Sequence, residues 1–440
     1  MALLPSPRRV PLLLLLLGAA ACAQPTRDQA WVADQITERT GVGGEAPLRA
    51  GALGDRPLTE DAAAAFALAS SPTFAADLTR LGVARADLAE ATRLTNPKVS
   101  LLAPIGTIVA AASLVGPIME LFQLPRRTAA ASRMLESVAA SLVQSGLDLV
   151  RDVRVAHAEA ILAVRRVQVA EATAEQAGDL AAIAEARAEG GDIGPADALL
   201  VRSEAEVARD RLEVARRDHR VAHARLLTLL GADAQRVLPL VSRRPLPDTA
   251  PPLAALLELA RAGRPDVRAA ELALASAAAR AGWERSRVVN LMGQVDVQWN
   301  RSQVGARVGG VLELPIFNQN QGGIGRAEAE IERASHQVEA TRQQVTLEVI
   351  RARATLLQSL ESRTRYHREV LPPLAVALDA ARLRYELGED SYLVVLDALG
   401  RQTAAELRVA ELDADVRRAR AELERAIGHR LGVTPREEVE

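Results

Sequence analysis

The chain contains the same series of segments twice, about 200 residues apart, and this repeat constrains its fold more than any other feature. Each copy reads as a shorter helix, an apolar region with strand character, a very long helix, a glycine-containing turn and a second long helix. The first-half segments are Thr59–Thr95, Pro97–Leu121, Arg126–Glu189, Gly190–Gly194 and Pro195–Leu230. The second-half segments are Leu253–Arg287, Val288–Phe317, Ile324–Leu387, Gly388–Asp390 and Ser391–Ile427. We therefore predict a first repeat over residues 23–245, a second over 246–430 and a C-terminal tail over 431–440.

The long helices carry the apolar spacing of coiled coils, alternating steps of three and four residues. In the last helix this stripe is Val409, Leu412, Val416, Ala419, Leu423 and Ala426, and in the first half it is Leu149, Val153, Ala156, Ala160, Val164 and Val167. A helix of about 60 residues is on the order of 90 Å long, which predicts a tube, a stalk or an adaptor. Pro372 and Pro373 are expected to interrupt the penultimate helix and kink it.

The two apolar regions are predicted to form β-hairpins, at about 97–121 and about 288–317. In the second region Val295, Val297 and Trp299 alternate with polar residues. Each strand has roughly the 9–11 residues that a tilted strand needs to cross a membrane. Four strands cannot close a barrel, and open edges are not tolerated in lipid, so several chains must share one barrel. Three chains would supply twelve strands.

The stretch LPIFNQNQGGIG, Leu314 to Gly325, joins the last predicted strand to the next helix. We expect Pro315 to end strand pairing because it has no amide hydrogen. The asparagine and glutamine side chains are expected to bond the turning backbone and the first helical amides. The two glycines are expected to adopt backbone angles closed to other residues. The predicted junction residues are Pro315, Phe317, Asn318, Asn320, Gly322 and Gly323.

The first 22 residues are predicted to be a secretory signal peptide. Arg8 and Arg9 precede an apolar run that is too short to span a bilayer, followed by small residues. Cys22, the single cysteine, is a candidate for lipidation; the alternative is ordinary cleavage after Ala23. Either way the mature chain leaves the cytoplasm, and no later segment has the roughly 18 apolar residues of a membrane helix.

Composition and motifs argue against several classes of function. The net charge of −2 and an aromatic content of 2% give no support to nucleic-acid binding. No constellation of residues supports enzyme chemistry, a cofactor or a nucleotide, so we predict a protein without catalytic residues. His219 and His223 have the spacing of a metal pair, but without an evident third ligand we interpret them as part of a solvated helix face.

The chain resembles the TolC-type outer-membrane efflux protein family, and in particular the outer-membrane members of cobalt–zinc–cadmium type cation-efflux systems. LPIFNQNQGGIGRAEAEI, VLPPLAVALDAARLRYELGEDSYLVVLDA and the repeat carry the resemblance, which covers nearly all of the mature chain. It implies a mainly α fold with a β-barrel part: a long coiled-coil α-helical barrel, four membrane β-strands per chain and a homotrimer sharing one twelve-stranded barrel. It also implies a periplasmic adaptor (membrane fusion) protein, an inner-membrane pump of the resistance-nodulation-division type, and outer-membrane lipid as partners.

In that family the helix–turn–helix tips form a closable aperture that faces the inner membrane. The resemblance places the tips at about 189–197 and about 387–397. Expected gating or adaptor-docking residues are Gly190, Gly191, Asp192, Asp197, Arg384, Tyr385, Gly388, Glu389, Asp390 and Asp397. The alternative reading of the acidic residues is ordinary placement at helix N-termini, where carboxylates complement the helix dipole. Val394 stands where some members carry a further aspartate.

We therefore predict a passive exit duct in the outer membrane of a Gram-negative bacterium, with a large periplasmic part and heavy-metal cations as one substrate class. Two alternatives stay open. One is an exit duct of the same fold for protein or polysaccharide secretion. The other is a periplasmic coiled-coil stalk or adaptor, which explains the helices and the signal but not two hairpins at matched positions.

Overall fold

The computed structural model describes residues 27–42, 57–102, 108–300, 303–387 and 389–431. At 108, 109, 300 and 386 it describes the backbone alone. Cys22 and the rest of the predicted signal, and Gly388 of the second predicted tip, lie outside these ranges. Within them, no helix is long and apolar enough to cross a membrane.

The first half contains five helices and two strands in its described part. These are α1, Gln29–Thr40; α2, Glu60–Ser70; α3, Pro72–Ala91; β1, Lys98–Leu102; β2, Ile108–Pro117; α4, Ile118–Glu189; and α5, Pro195–Leu230. At 72 residues α4 is about 110 Å long. Sequence analysis did not predict α1, a short helix that packs Val32 and Ile36 into the core beside α4.

The second half repeats this order from α2 onward. Its elements are α6, Leu253–Gly263; α7, Pro265–Ser286; β3, Asn290–Asn300; β4, Val304–Glu313; α8, Gln321–Arg365; a π-helical segment, Tyr366–Val370; α9, Leu371–Glu386; and α10, Tyr392–Ile427. The predicted class, mainly helical with four strands per chain, is confirmed.

The short helices of both halves were predicted as single helices, and this was wrong. Thr59–Thr95 breaks at Ser71, and Leu253–Arg287 breaks at Arg264; both break residues are extended, with ψ of 119° and 121°. Each precedes a proline, whose ring disfavours helical angles at the residue before it. The proline then occupies the first position of the next helix, where its missing amide hydrogen costs nothing.

The long helices begin earlier than predicted. We expected the first to start at Arg126, but α4 starts at Ile118 and passes through Pro125. Side chains on both sides of this proline are held by hydrogen bonds: Gln123 donates to the Ser286 carbonyl at 3.1 Å, and Arg127 donates to the Ala91 carbonyl at 2.9 Å. These contacts keep the helix continuous where the proline removes one backbone hydrogen bond.

The predicted interruption at Pro372 and Pro373 is confirmed, and it takes the form of a π-helical segment. The amide of Leu371 donates to the carbonyl of Tyr366, five residues back. The two prolines that follow have no amide hydrogen, so the carbonyls four residues before them cannot form α-helical bonds. The widened turn lies directly before them, as π-bulges often do at functional positions.

The four strands form one antiparallel sheet in the order β1-β2-β3-β4, so the hairpins of the two halves join through β2 and β3. Every described residue of the edge strands β1 and β4 is exposed. The sheet is therefore open at both edges within one chain. Such edges demand a partner strand or cover, as unpaired amides and carbonyls are costly to leave in lipid.

The predicted coiled-coil stripes face the helix contacts. All six residues of the α10 stripe, from Val409 to Ala426, are buried. In α4 the first four stripe residues are buried, while Val164 and Val167 are partly exposed. Helix α4 contacts α5, α7 and α10, and α10 contacts α8 and α9, so the long helices form a wall of antiparallel neighbours.

A buried cluster of ion pairs joins the two halves at mid-height of this wall. Glu424 of α10 pairs with Arg154 of α4 at 2.8 Å and with Arg244 of the linker at 2.7 Å, and Arg154 also pairs with Asp61 of α2 at 2.8 Å. Burial alone would raise the pKa of Glu424, but its hydrogen bonds and ion pairs with the arginines lower it below the usual value. No residue spacing in the sequence predicts this cluster. The carboxylate of Glu424 thus connects the linker with both halves of the chain.

Candidate functional site

The first helix tip is a tight glycine turn between α4 and α5. Gly191 has φ of 81°, a left-handed conformation that favours glycine, whereas Gly190 continues the helical angles. The amide of Asp192 donates to the Arg187 carbonyl at 2.8 Å, which closes the turn. Asp192 and Asp197 both point to solvent, Asp197 in the first turn of α5.

The second tip is held by the backbone and side chain of Arg384. Its carbonyl accepts from the amide of Glu389 at 2.9 Å, and its Nε lies 3.2 Å from Asp390 and 3.7 Å from Glu389. Arg384 and Glu389 are both more than half exposed, so the ion pair between them adds little to stability. Asp397 pairs with Arg401 one turn along α10 at 2.9 Å, also at the surface.

The two tips touch each other through Arg187 and Tyr385. An Arg187 Nη donates to the Tyr385 hydroxyl at 2.6 Å, and the guanidinium carbon lies 4.5 Å from the centre of the ring. This combines a hydrogen bond with a cation–π contact. Sequence analysis named Tyr385 but missed Arg187, although the repeat aligns Arg187 with Arg384 and so carried a signal for it.

Tyr392 extends this contact into the apolar layer between the tips. Its ring meets that of Tyr385 edge to face at 5.7 Å, and it packs against the small residues of α4 and α5. Its hydroxyl is buried and finds no hydrogen-bond partner among the described residues. Burial raises the pKa of this hydroxyl above its ordinary value. The first tip, the second tip and their aromatic contact thus form one packed unit at the end of the helical wall.

At the other end of the molecule, the sheet has one polar and one apolar face. The strand register places Ser113, Asp296 and Arg307 in one row across β2, β3 and β4. Gln294 donates to Asp296 at 2.8 Å and to Ser113 at 3.2 Å on the same face. The opposite face carries Val99, Leu114, Val295, Val297 and Val308. A sheet patterned in this way can separate lipid from a water-filled lumen.

The strand-to-helix junction after β4 works differently from the prediction. Strand β4 ends at Glu313, two residues before Pro315. The left-handed residue is Asn320, with φ of 58°, while Gly322 and Gly323 lie in the first turn of α8. The expected special angles of the two glycines were therefore wrong. Left-handed angles are tolerated by asparagine because its short side chain can bond locally.

The amide side chains of the junction bond the loop and a neighbouring helix, not the first helical amides. Asn318 accepts from the Asn320 amide at 2.9 Å, whereas the Asn320 side chain donates to the Glu284 carbonyl and carboxylate, both at 2.8 Å. A Cβ on Gly323 would stand 2.4 Å from the Asn320 side-chain oxygen, but one on Gly322 would meet nothing within 4 Å. Gly323 is thus required by close packing. Phe317 is almost fully exposed.

The histidine pair is not a solvated face, as we had interpreted it. His223 is buried and its Nε2 lies 3.3 Å from the Leu238 carbonyl, while His219 is half-buried with its ring centre 6.0 Å from that of His223. Burial lowers the pKa of His219, as does the neighbouring His223. Across the described ranges no group of three potential ligands could hold a metal ion.

Comparison with known proteins finds a matching family model and a similar curated protein. The model of the family described as "Outer membrane efflux protein" matches residues 256–429. The chain is 28% identical over 386 residues to the cobalt-zinc-cadmium resistance protein CzcC of Cupriavidus metallidurans, covering 84% of this chain and 90% of that protein.

Solved structures share the fold at low identity. The outer membrane protein VceC of Vibrio cholerae matches with a TM-score of 0.72 and 16% identity, covering 84% of this chain and 96% of that one. The open state of the MtrE outer membrane channel of Neisseria gonorrhoeae matches with a TM-score of 0.65 and 19% identity, covering 83% and 88%. In both cases the likeness covers more than four fifths of this chain.

Proposed function

We propose that the chain is a member of the outer membrane efflux protein family, that it is the outer-membrane channel of a tripartite efflux system, and that it conducts heavy-metal cations. The observation that carries this substrate class is the similarity to the cobalt-zinc-cadmium resistance protein CzcC, which spans 84% of this chain. The channel is passive: an inner-membrane pump, of the resistance-nodulation-division type, supplies the energy, and a periplasmic adaptor connects the two.

We propose that the working channel is a homotrimer. One chain supplies four strands with open edges at β1 and β4. In lipid every backbone polar group must be satisfied, so each edge must pair with the edge of another chain. Three chains close a barrel of twelve strands, an even number typical of outer-membrane barrels. The polar face with Asp296 and Arg307 then lines the lumen, and the valine face meets lipid.

We propose that the two tips form the periplasmic mouth and contact the adaptor. Their acidic residues, among them Asp192, Asp197 and Asp397, are exposed where a partner or a passing cation can reach them. Three-fold symmetry would repeat each of them as a ring, and acidic rings favour cations. The contact between Arg187 and Tyr385 holds the second helix pair against the first and keeps the mouth narrow.

Deletion in the native host tests the substrate class. We expect the deletion strain to become sensitive to cobalt, zinc and cadmium salts, and expression from a plasmid to restore tolerance. Growth inhibition by detergents and antibiotics measured in parallel serves as the comparison. Unchanged metal tolerance combined with lost drug tolerance, or with lost secretion of a protein or polysaccharide, would contradict the proposal and favour another cargo for the same duct.

We also propose that Cys22 is lipidated after removal of the signal peptide. The small residues before it and the single cysteine fit this processing, while the alternative is cleavage after Ala23. Mass measurement of the N-terminal peptide from purified outer membranes decides between them. A diacylglyceryl group on Cys22 supports the proposal; an unmodified N-terminus at Gln24 contradicts it.

A further inference from the structure

An open apolar groove of about 410 Å³ lies where β1 and β2 meet the helices. Its lining includes Leu94, Pro97, Gly116, Ile118, Leu121 and Gly293. Gly116 and Gly293 are paired across β2 and β3 on the valine face, so no side chain fills the floor at either position. A Cβ on Gly293 would come within 2.7 Å of Ile118, which shows how closely that side chain already covers one end. The rest of the groove is open, and Leu94 and Leu121 of its lining are exposed.

Hydrogen bonds within the chain hold the wall of the groove in place without a partner. The loop between α3 and β1 is held by Glu120 of α4, which accepts from the Thr95 amide at 2.9 Å and from its hydroxyl at 2.7 Å. Burial would raise the pKa of Glu120, but these hydrogen bonds lower it below the ordinary value. Arg127 holds the end of α3 from the same helix. A preformed groove of this kind loses little conformational entropy on binding.

An exposed apolar segment stands at the opposite edge of the sheet. Directly after β4, Leu314 and Ile316 are exposed and Phe317 is 93% exposed. The segment is itself ordered: the Ile316 amide donates to the Leu314 carbonyl at 2.9 Å, and Asn320 anchors its far end to Glu284. Within one chain, three large apolar side chains at a fixed turn have nothing to cover them among the described residues.

Closure of the barrel brings this segment to the groove of the next copy. Neighbouring edges must pair antiparallel, so the end of β4 lies beside the start of the next copy's β1. Strands in such barrels tilt by about 40°, and four strands spaced about 4.8 Å apart then shift the pairing by about five residues per copy. The register within one sheet puts Gly309 level with Lys98, and a shift of one sense from there would place the last residues of β4 opposite α3, which is helical to Ala91. The other sense places Leu314–Phe317 opposite residues 95–98.

We propose that Leu314–Phe317 of each copy inserts into this groove of the adjacent copy and seals the seam where the barrel meets the helical wall. The inference rests on the proposed trimer. Both surfaces are apolar, both are rigid, and both lie at the level where strand pairing between copies ends. The segment thus replaces backbone pairing with apolar packing at a point where Pro315 cannot donate to a ladder.

Cysteine cross-linking tests the contact directly. The double variant Asn96→Cys with Ile316→Cys places one thiol at the groove and one on the segment, while the native cysteine is confined to position 22. We expect oxidation of intact outer membranes to give covalent dimers and trimers from the double variant and none from either single variant. If native mass measurement shows trimers but oxidation gives only single chains, the inference is wrong and the trimer stands. If no trimer is found, the proposed assembly itself fails.

Alanine variants of two exposed phenylalanines separate this contact from simple lipid anchoring. Phe122 is 69% exposed at the matching junction of the first half, but it follows the inner strand β2 and cannot reach a neighbouring copy through a sheet edge. We expect Phe317→Ala to dissociate trimers at detergent concentrations that the parent and Phe122→Ala withstand. Equal behaviour of the two variants would mean that Phe317 only contacts lipid, and would overturn the inference.

Discussion

Two glutamates of α10 form the same contact in different surroundings. Glu424 pairs with Arg154 and Glu411 pairs with Arg166, both with α4 and both at 2.8 Å. The side chain of Glu424 is 4% exposed, whereas that of Glu411 is 31% exposed. Water screens the outer pair, whereas the inner glutamate is the shared acceptor for the buried Arg154 and the partly exposed Arg244 and Arg420.

We predict that Glu424→Gln lowers the free energy of unfolding by about 3–5 kcal/mol, because it removes the negative charge that the buried Arg154 shares with Arg244 and Arg420. The matched variant Glu411→Gln should cost no more than about 1 kcal/mol. Chemical denaturation of the purified protein in detergent, followed by circular dichroism, measures both. Similar losses of unfolding free energy for the two variants would show that burial does not determine how much these ion pairs stabilise the protein.

The adjacent glycines at the start of α8 give a second matched comparison. Alanine is the better helix former by roughly 1 kcal/mol, so Gly322→Ala, with open space at its Cβ, should be neutral or stabilising. Gly323→Ala forces a methyl group against Asn320 and Glu284 and should destabilise by about 1–3 kcal/mol. Thermal unfolding of the two variants distinguishes them. A stabilised Gly323→Ala would contradict the packing account of this junction.

At the scale of elements, the contact between the two tips can be tested most directly. Arg187→Ala removes both the hydrogen bond and the cation–π contact with Tyr385, which together should amount to roughly 1–2 kcal/mol. We predict a wider mouth, read as increased conductance of single channels in planar bilayers. Arg261→Ala, which breaks only the exposed pair with Glu258 in α6, away from the tips, is the control and should leave conductance unchanged. Equal conductance of Arg187→Ala and the parent would argue against the clamp.

Element boundaries were predicted correctly where we used glycine and proline as signals, and wrongly where we did not use them. The turn at Gly191 and the interruption before Pro372 were predicted from residue type alone. Pro72 and Pro265 carried an equally clear signal for two helix starts that was overlooked. Pro125 shows the limit of such signals, since contacts with α3 and α7 keep its helix continuous.

At the scale of the whole molecule, the repeat and the alternation of the strands were enough to predict the architecture. Contacts between segments far apart in sequence were not predictable in the same way. No periodic pattern in the sequence predicts the partners of Glu424 or the burial of His223 against the linker. Arg187 was predictable in part. The repeat aligns it with Arg384, a candidate gating residue, but only the structure shows that it contacts Tyr385.

The central claim is that four strands with two open edges oblige three chains to share one barrel. Native mass spectrometry of the full chain, extracted from outer membranes in mild detergent, tests this most directly. The account predicts a single species of three chains that becomes monomeric only on heating. A population of single chains under the same mild conditions, with the strands folded into a water-soluble body, would contradict it.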